Sequence, residues 1–184
     1  VKPAIEAPID MNKLDALVST VAKVAQTQPG AIIMVTAGKA STAFIREYLK
    51  PGERPQFFGV SVLSAKALFA DLGADAHGIV IAQVVPSPLR TSYPISKEFI
   101  IAAKKANSKD TTYNSLEGYI TAKVFIEAVR RAGKDLSREK LISALETMNN
   151  YDVGGFVVDY SGGKRIGSTF VDLSIISKSG QFLH

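Results

Sequence analysis

In the first third of the chain, apolar positions fall into short continuous runs separated by stretches in which they recur every three or four residues. Short runs bounded by turn residues predict strands, and the 3.6-residue period predicts amphipathic helices. Pro3–Ile9 is expected as a first strand, with Asp10 placed to cap the next helix. In Met11–Gln28 the positions Leu14, Leu17, Val18, Val21, Val24 and Ala25 form one helical face, and Pro29–Gly30 stops it. Ala31–Val35 (AIIMV) predicts a strand covered on both faces. Lys39–Leu49 follows as a helix ended by Pro51–Gly52. Gln56–Val60 is the next strand, Ser64–Leu72 a short helix capped by Ser64, and Gly78–Gln83 a fourth strand. Alternation of this kind requires right-handed crossovers, so the expected fold class is α/β: a doubly wound parallel sheet with flanking helices.

Beyond Gln83 the pattern changes. Pro86, Pro88 and Pro94 punctuate a stretch without clear period, read as a crossover. A helix is expected over Ile95–Lys105 and another from Asn114 to Ala132, the latter with Asn114 and Glu117 as a capping box. Gly133 ends it, and Ser137 caps a further helix closing near Met148. Two β-rich runs come last, Gly155–Tyr160 and Ser168–Ser177, joined by a turn containing Gly162–Gly163. Partial alternation in the second predicts that it is mostly buried. No internal repeat of fixed period is present.

Composition narrows the picture. At 184 residues and 46% hydrophobic content, such a chain buries about 70% of its unfolded surface. With 22 basic and 17 acidic residues the net charge is +5, and the Lys104–Lys105–Lys109 cluster lacks interleaved aromatics, so a nucleic-acid partner has no footprint here. Zero cysteines exclude disulfides, thiolate nucleophiles and zinc–sulfur sites. No apolar run approaches the ~20 residues of a membrane span. Val1–Lys13 also lacks the charged and apolar regions of a signal peptide.

Candidate chemistry concentrates at strand–helix junctions. Thr36-Ala37-Gly38-Lys39-Ala40-Ser41 joins a strand to a helix; small residues there admit a ligand to the backbone, and free helix-start amides attract an anion. Lys39 adds a positive charge, which suits a carboxylate; an ordinary turn with a solvated lysine fits the local sequence equally. It is not a phosphate-binding P-loop, because Ile33 and Ala40 stand where that motif needs Gly and Ser or Thr. Gly59-Val60-Ser61-Val62-Leu63-Ser64 forms the next junction, on the sheet edge where ligands of parallel sheets collect. Ser61 is a candidate contact there, whereas Ser64 fits a cap better. Gln83, Tyr113 and Glu117 are further candidates, each with a plain alternative on the surface, in the core or in capping. Catalytic and metal constellations are missing: His77 and His184 lack ligand spacing, and no G-x-S-x-G elbow occurs. No cofactor is expected.

Several segments together carry a resemblance: IIMVTAGKASTAFIREYLKPG, PQFFGVSVLSAKALFADLG, GIVIAQVVP, YNSLEGYITAKVFIEAVRRAGKDLSREKLISALE and NYDVGGFVVDYSGGKRIGSTFVDLSII. In this order they resemble the type I periplasmic binding proteins of the branched-chain amino acid class, also called extracellular ligand-binding receptors. The resemblance implies a periplasmic or extracellular receptor that closes two lobes around a small amino acid or an organic or aromatic carboxylate and delivers it to an ABC-transporter permease. It implies second-lobe ligand contacts at Ala37–Ala40 and Ser61–Ser64, and hinge crossings near Gln83–Pro86 and Asn150–Gly154. It further implies that residues 1–84 form a second-lobe core, that 85–149 hold the crossover and helices packing on a first lobe, and that 150–184 return to the second lobe. Members run to about twice this length, so the chain is expected to be the C-terminal portion, with most of the first lobe missing.

Lys39 and Ser61 stand where leucine-binding members carry an aromatic and an acidic side chain for the ligand's ammonium. That makes an organic or aromatic carboxylate a contender beside an α-amino acid. A ligand-sensing regulatory domain of the same fold and a flavodoxin-like α/β enzyme are the competing readings; the enzyme needs a phosphate-cradling loop or acidic metal pocket that the strands do not offer.

Overall fold

The computed structural model describes residues 2–10 and 16–183. The first part of the helix expected at Met11–Gln28, with Leu14, and the terminal His184 lie outside the described residues. The chain divides into two compact units: residues 1–82 with 173–184, and residues 83–172. Residues 150–172 belong to the second unit.

The first unit carries helices α1 (Leu17–Ala25), α2 (Gly38–Leu49) and α3 (Ala65–Leu72), and strands β1 (Ala31–Met34), β2 (Gln56–Gly59), β3 (Val80–Gln83, its last residue in the second unit), β6 (Asp172–Ile176, its first residue in the second unit) and β7 (Phe182–Leu183). Sheet order is β1-β2-β3-β6-β7. β1, β2 and β3 run parallel, with Ile33 opposite Phe58 and Phe58 opposite Val80. β6 and β7 form an antiparallel pair through Ile175–Leu183 and Ile176–Phe182. The sheet is therefore mainly parallel, and the α/β class expected from the alternation holds.

Strand periodicity decides which residues build the core. Met34, Phe57, Ile79, Ile81 and Ile176 point to one face and are at most 5% exposed. Val21 and Val24 of α1, Ile45 and Tyr48 of α2, and Leu68 of α3 pack into the same cluster. Each such apolar side chain contributes about 1.5–3 kcal/mol on burial. Tyr48 also meets Phe57 edge-on, with ring centroids 5.9 Å apart.

The opposite sheet face departs from expectation. Ile33 is 77% and Val35 81% exposed, so the AIIMV run is covered on one side only. The run is apolar throughout, and periodicity carries no information about which side receives a helix. Ser168–Ser177 is likewise not mostly buried: Ser174 and Ile176 are inside, whereas Leu173 and Ile175 are 55% and 40% exposed. Pro3–Ile9 is not a strand; it passes β1 as irregular backbone, with Ala7 and Ile9 packed against the core.

The second unit holds α4 (Pro94–Lys105), α5 (Tyr113–Ala132), α6 (Arg138–Glu146) and a short antiparallel hairpin of β4 (Tyr151–Asp152) and β5 (Val157–Val158). Ile95, Leu116, Ala128 and Met148 are fully buried. Pro94 at the first turn of α4 is compatible with the helix because its missing N–H has no intrahelical partner there. Across α4 and α5, Glu98 accepts hydrogen bonds from Tyr119 at 2.8 Å and Lys123 at 2.6 Å. Of the expected strand Gly155–Tyr160 only Val157–Val158 pairs.

The start of α5 corrects the expected capping box. Thr112 is the N-cap: its hydroxyl accepts from the Ser115 N–H at 3.3 Å, and the Ser115 hydroxyl accepts from the Thr112 N–H at 2.8 Å. Asn114 and Glu117 lie inside the helix. Both pairs have the required spacing; burying Tyr113 fixes the earlier start. Ser64 and Ser137 cap α3 and α6 as expected, accepting from Ala67 and Lys140.

Candidate functional site

β1 and β2 are neighbouring parallel strands, so the turns that follow them emerge at one edge of the first unit's sheet. This brings together six of the nine candidates: Ala37, Gly38, Lys39 and Ala40 after β1, and Ser61 and Ser64 after β2. Helices α2 and α3 both begin at this edge, each presenting the positive end of its dipole.

The first turn is built to keep its amides open. Ala37 is the N-cap of α2 and supplies no side-chain cap. Gly38 has φ +57, and nothing lies within 4 Å of where a Cβ would sit, so the backbone there is bare. Lys39 is exposed and Ala40 is buried to 2%. Beneath them, Thr36 Oγ1 and Ser41 Oγ share a hydrogen bond of 2.7 Å, and Thr42 Oγ1 donates to the Lys39 carbonyl at 3.1 Å. Ser41 is fully buried. Sequence reasoning missed these three hydroxyls as supports of the turn; three Ser/Thr residues flanking one βα junction were the available signal.

The second turn is tighter. Leu63 N–H bonds the Val60 carbonyl at 3.0 Å, and Gly59 gives room for close packing: a Cβ there would fall 2.6 Å from Leu63 Cδ1 and 2.9 Å from Ile81 Cδ1. Ser61 is half-buried. The Ser64 oxygen is occupied as a cap.

The other three candidates belong to the second unit. Gln83 closes β3 and is 1% exposed; Tyr113 is 6% exposed at the first position of α5. Both side chains are packed rather than presented to solvent. Glu117 is exposed and borders a cavity of about 450 Å³ lined by Ile120, Val124, Phe156 and Phe170. Among the described residues no group of three His, Asp or Glu side chains is placed to hold a metal ion. No described helix is long and apolar enough to cross a membrane.

The α/β fold agrees with the comparisons. A family model described as periplasmic binding protein matches residues 6–169. The chain belongs to the periplasmic binding protein family. No curated protein matches it. Among solved structures, it is similar to a substrate-binding periplasmic protein from Ralstonia solanacearum, with 31% identity and a TM-score of 0.81, over 94% of this chain and 50% of that one. An extracellular ligand-binding receptor from Verminephrobacter eiseniae gives 28% identity and 0.80, over 93% and 49%. A possible leucine/isoleucine/valine-binding protein from Rhodopirellula baltica gives 30% and 0.80, over 90% and 46%. The chain thus spans about half the length of these structures. By their descriptions they bind ligands, and the family is one of periplasmic or extracellular binding proteins.

Proposed function

We propose that this chain forms the ligand-contacting part of a solute receptor serving an ABC importer outside the cytoplasmic membrane. Its ligand is a small amino acid or an organic or aromatic carboxylate, held by closure of two lobes. One observation carries the reading: two adjacent βα junctions open on one sheet edge, and α2 begins there with no side-chain cap and with Lys39 beside its amides. Backbone amides at a helix start, the helix dipole and a lysine ammonium all favour an anion. The Ser61 hydroxyl adds a neutral donor. Periplasmic, substrate-binding and leucine/isoleucine/valine-binding descriptions among similar structures support the solute class.

The test is isothermal titration of a panel of amino acids, aromatic carboxylates and their uncharged amides against the wild type and Lys39→Ala. A charge-assisted hydrogen bond contributes about 1.5–3 kcal/mol, so the variant should bind the preferred carboxylate roughly ten- to hundred-fold more weakly. Equal affinity in the variant, or amides binding as well as acids, would rule out the anion corner.

A further inference from the structure

Between β5 and β6 the chain runs from Asp159 to Val171 with only a short 3-10 turn at Ser161–Gly163. Its tip carries two adjacent bases, Lys164 and Arg165, whose side chains are 53% and 77% exposed. Ile166 beside them is 75% exposed. Among the described residues, neither the Arg165 nor the Ile166 N–H finds a backbone acceptor. The loop is pinned below this tip, where the Asp159 N–H donates to the Gly167 carbonyl at 2.7 Å and the Tyr160 N–H to the Met148 carbonyl at 2.8 Å. The two bases are tied only across the surface, Lys164 to Asp159 and Arg165 to Glu146 at 3.2 Å. Exposed pairs of this kind hold a side chain weakly.

Exposed loop tips are where folded chains are nicked, and an endoprotease with an acidic specificity pocket selects a basic side chain there. The chain offers such an enzyme few other bonds. Lys2, Lys50 and Arg54 each precede a proline, whose ring replaces the amide N–H at the bond to be cut. Lys109 and Lys134 precede Asp110 and Asp135, whose charge opposes an acidic pocket. Arg90 and Lys178 lie in turns closed by hydrogen bonds of 3.1 and 3.0 Å, Tyr93 to Arg90 and Gly180 to Ser177. The other described lysines and arginines lie in helices, whose backbone must unwind before it is cut.

We propose that Arg165–Ile166 is a processing site at which a base-specific endoprotease clips the folded chain. Water adds across that one amide, leaving a carboxylate on Arg165 and a free amine on Ile166. The clipped segment stays in place. It carries β6 and β7, and Ile176 in β6 donates its N–H to the Ile79 carbonyl and accepts from the Gly78 N–H, both at 2.9 Å. Ser174 and Ile176 are at most 1% exposed. The uncut chain passes between the two units twice, at Ala82–Gln83 and Asp172–Leu173. After the cut the second passage belongs to a separate polypeptide, and residues 1–165 join the units only once.

The experiment treats the folded chain with trypsin at a low ratio and follows it by intact-mass and native mass spectrometry. The expected first products are residues 1–165 and 166–184, held together in one native complex. Lys164→Gln/Arg165→Gln should slow this first cut at least about ten-fold. Circular dichroism checks that the variant is folded; if it is not, Ile166→Pro replaces it, blocking the same bond while keeping both charges. Four results would overturn the proposal: a first cut elsewhere, an unchanged rate in the folded variant, fragments that part under native conditions, or loss of the whole chain without a 1–165 product. The last would show that only unfolded chain is cut.

Discussion

Thr36 and Ser41 stand at the two ends of the β1–α2 turn with their hydroxyl oxygens 2.7 Å apart, so the segment bearing Gly38 and Lys39 is bracketed by one hydrogen bond. Ser41 is fully buried, and removing one partner leaves the other hydroxyl poorly satisfied. Ser41→Ala should cost about 1–3 kcal/mol. Thr36→Val combined with Ser41→Ala should cost less than the sum of the single changes. Urea denaturation of the four proteins as a double-mutant cycle measures this coupling; strict additivity would show that the bond does not hold the turn.

A second prediction concerns the start of α5. Thr112→Ala removes the observed cap and should destabilise by about 0.5–2 kcal/mol. Asn114→Ala and Glu117→Ala remove no cap and should fall within about 0.5 kcal/mol of wild type. Chemical denaturation of the three variants decides between the two registers.

Gly180 sits in the turn between β6 and β7 with φ +76, and a Cβ there would lie 2.3 Å from Cγ of Phe69. Gly180→Ala therefore meets both a steric and a backbone penalty and should lose at least about 1–3 kcal/mol. Gly30 has nothing within 4 Å and no positive φ. Gly30→Ala should be neutral or slightly stabilising, and paired thermal melts make the comparison.

The Tyr119–Glu98 hydrogen bond predicts an alkaline dependence. Burial, then the bond to Glu98 and its charge, push the Tyr119 hydroxyl from 10.0 up to about 12. The folded state holds this proton more tightly than the unfolded state. The stabilisation is complete below pH 10 and is lost as pH rises towards 12. Tyr119→Phe should flatten that decline in stability measured between pH 9 and 12; an unchanged slope would assign the decline to other groups.

How much of this was legible in the sequence depended on whether one segment's own pattern decided the matter. Ser64 and Ser137 were readable as caps because each precedes a clear apolar period. Thr112–Ser115 and Asn114–Glu117 both satisfy a local rule, and only packing of Tyr113 chose between them. Ile33 looked like a core residue because a run such as AIIMV records hydrophobicity, not which neighbours arrive. The junctions at Ala37–Ala40 and Ser61–Ser64 were foreseeable from strand–helix order, since parallel neighbours bring successive turns to one edge. The burial of Gln83 to 1% was not, because a strand's last residue faces solvent or interior according to its tertiary neighbours.

The sheet of the first unit is assembled from two separated stretches of chain: β3 neighbours β6, with the Ile176 N–H bonded to the Ile79 carbonyl, while residues 83–172 fold elsewhere. During synthesis at roughly 5–20 residues per second, β3 therefore waits on the order of 5–20 s for its neighbour. For that interval the nascent chain presents an unfilled strand edge beside β3. Such a pairing over ninety intervening residues is slow to close by itself. The time at which the sheet of the first unit can close is thus set by the length of chain between β3 and β6.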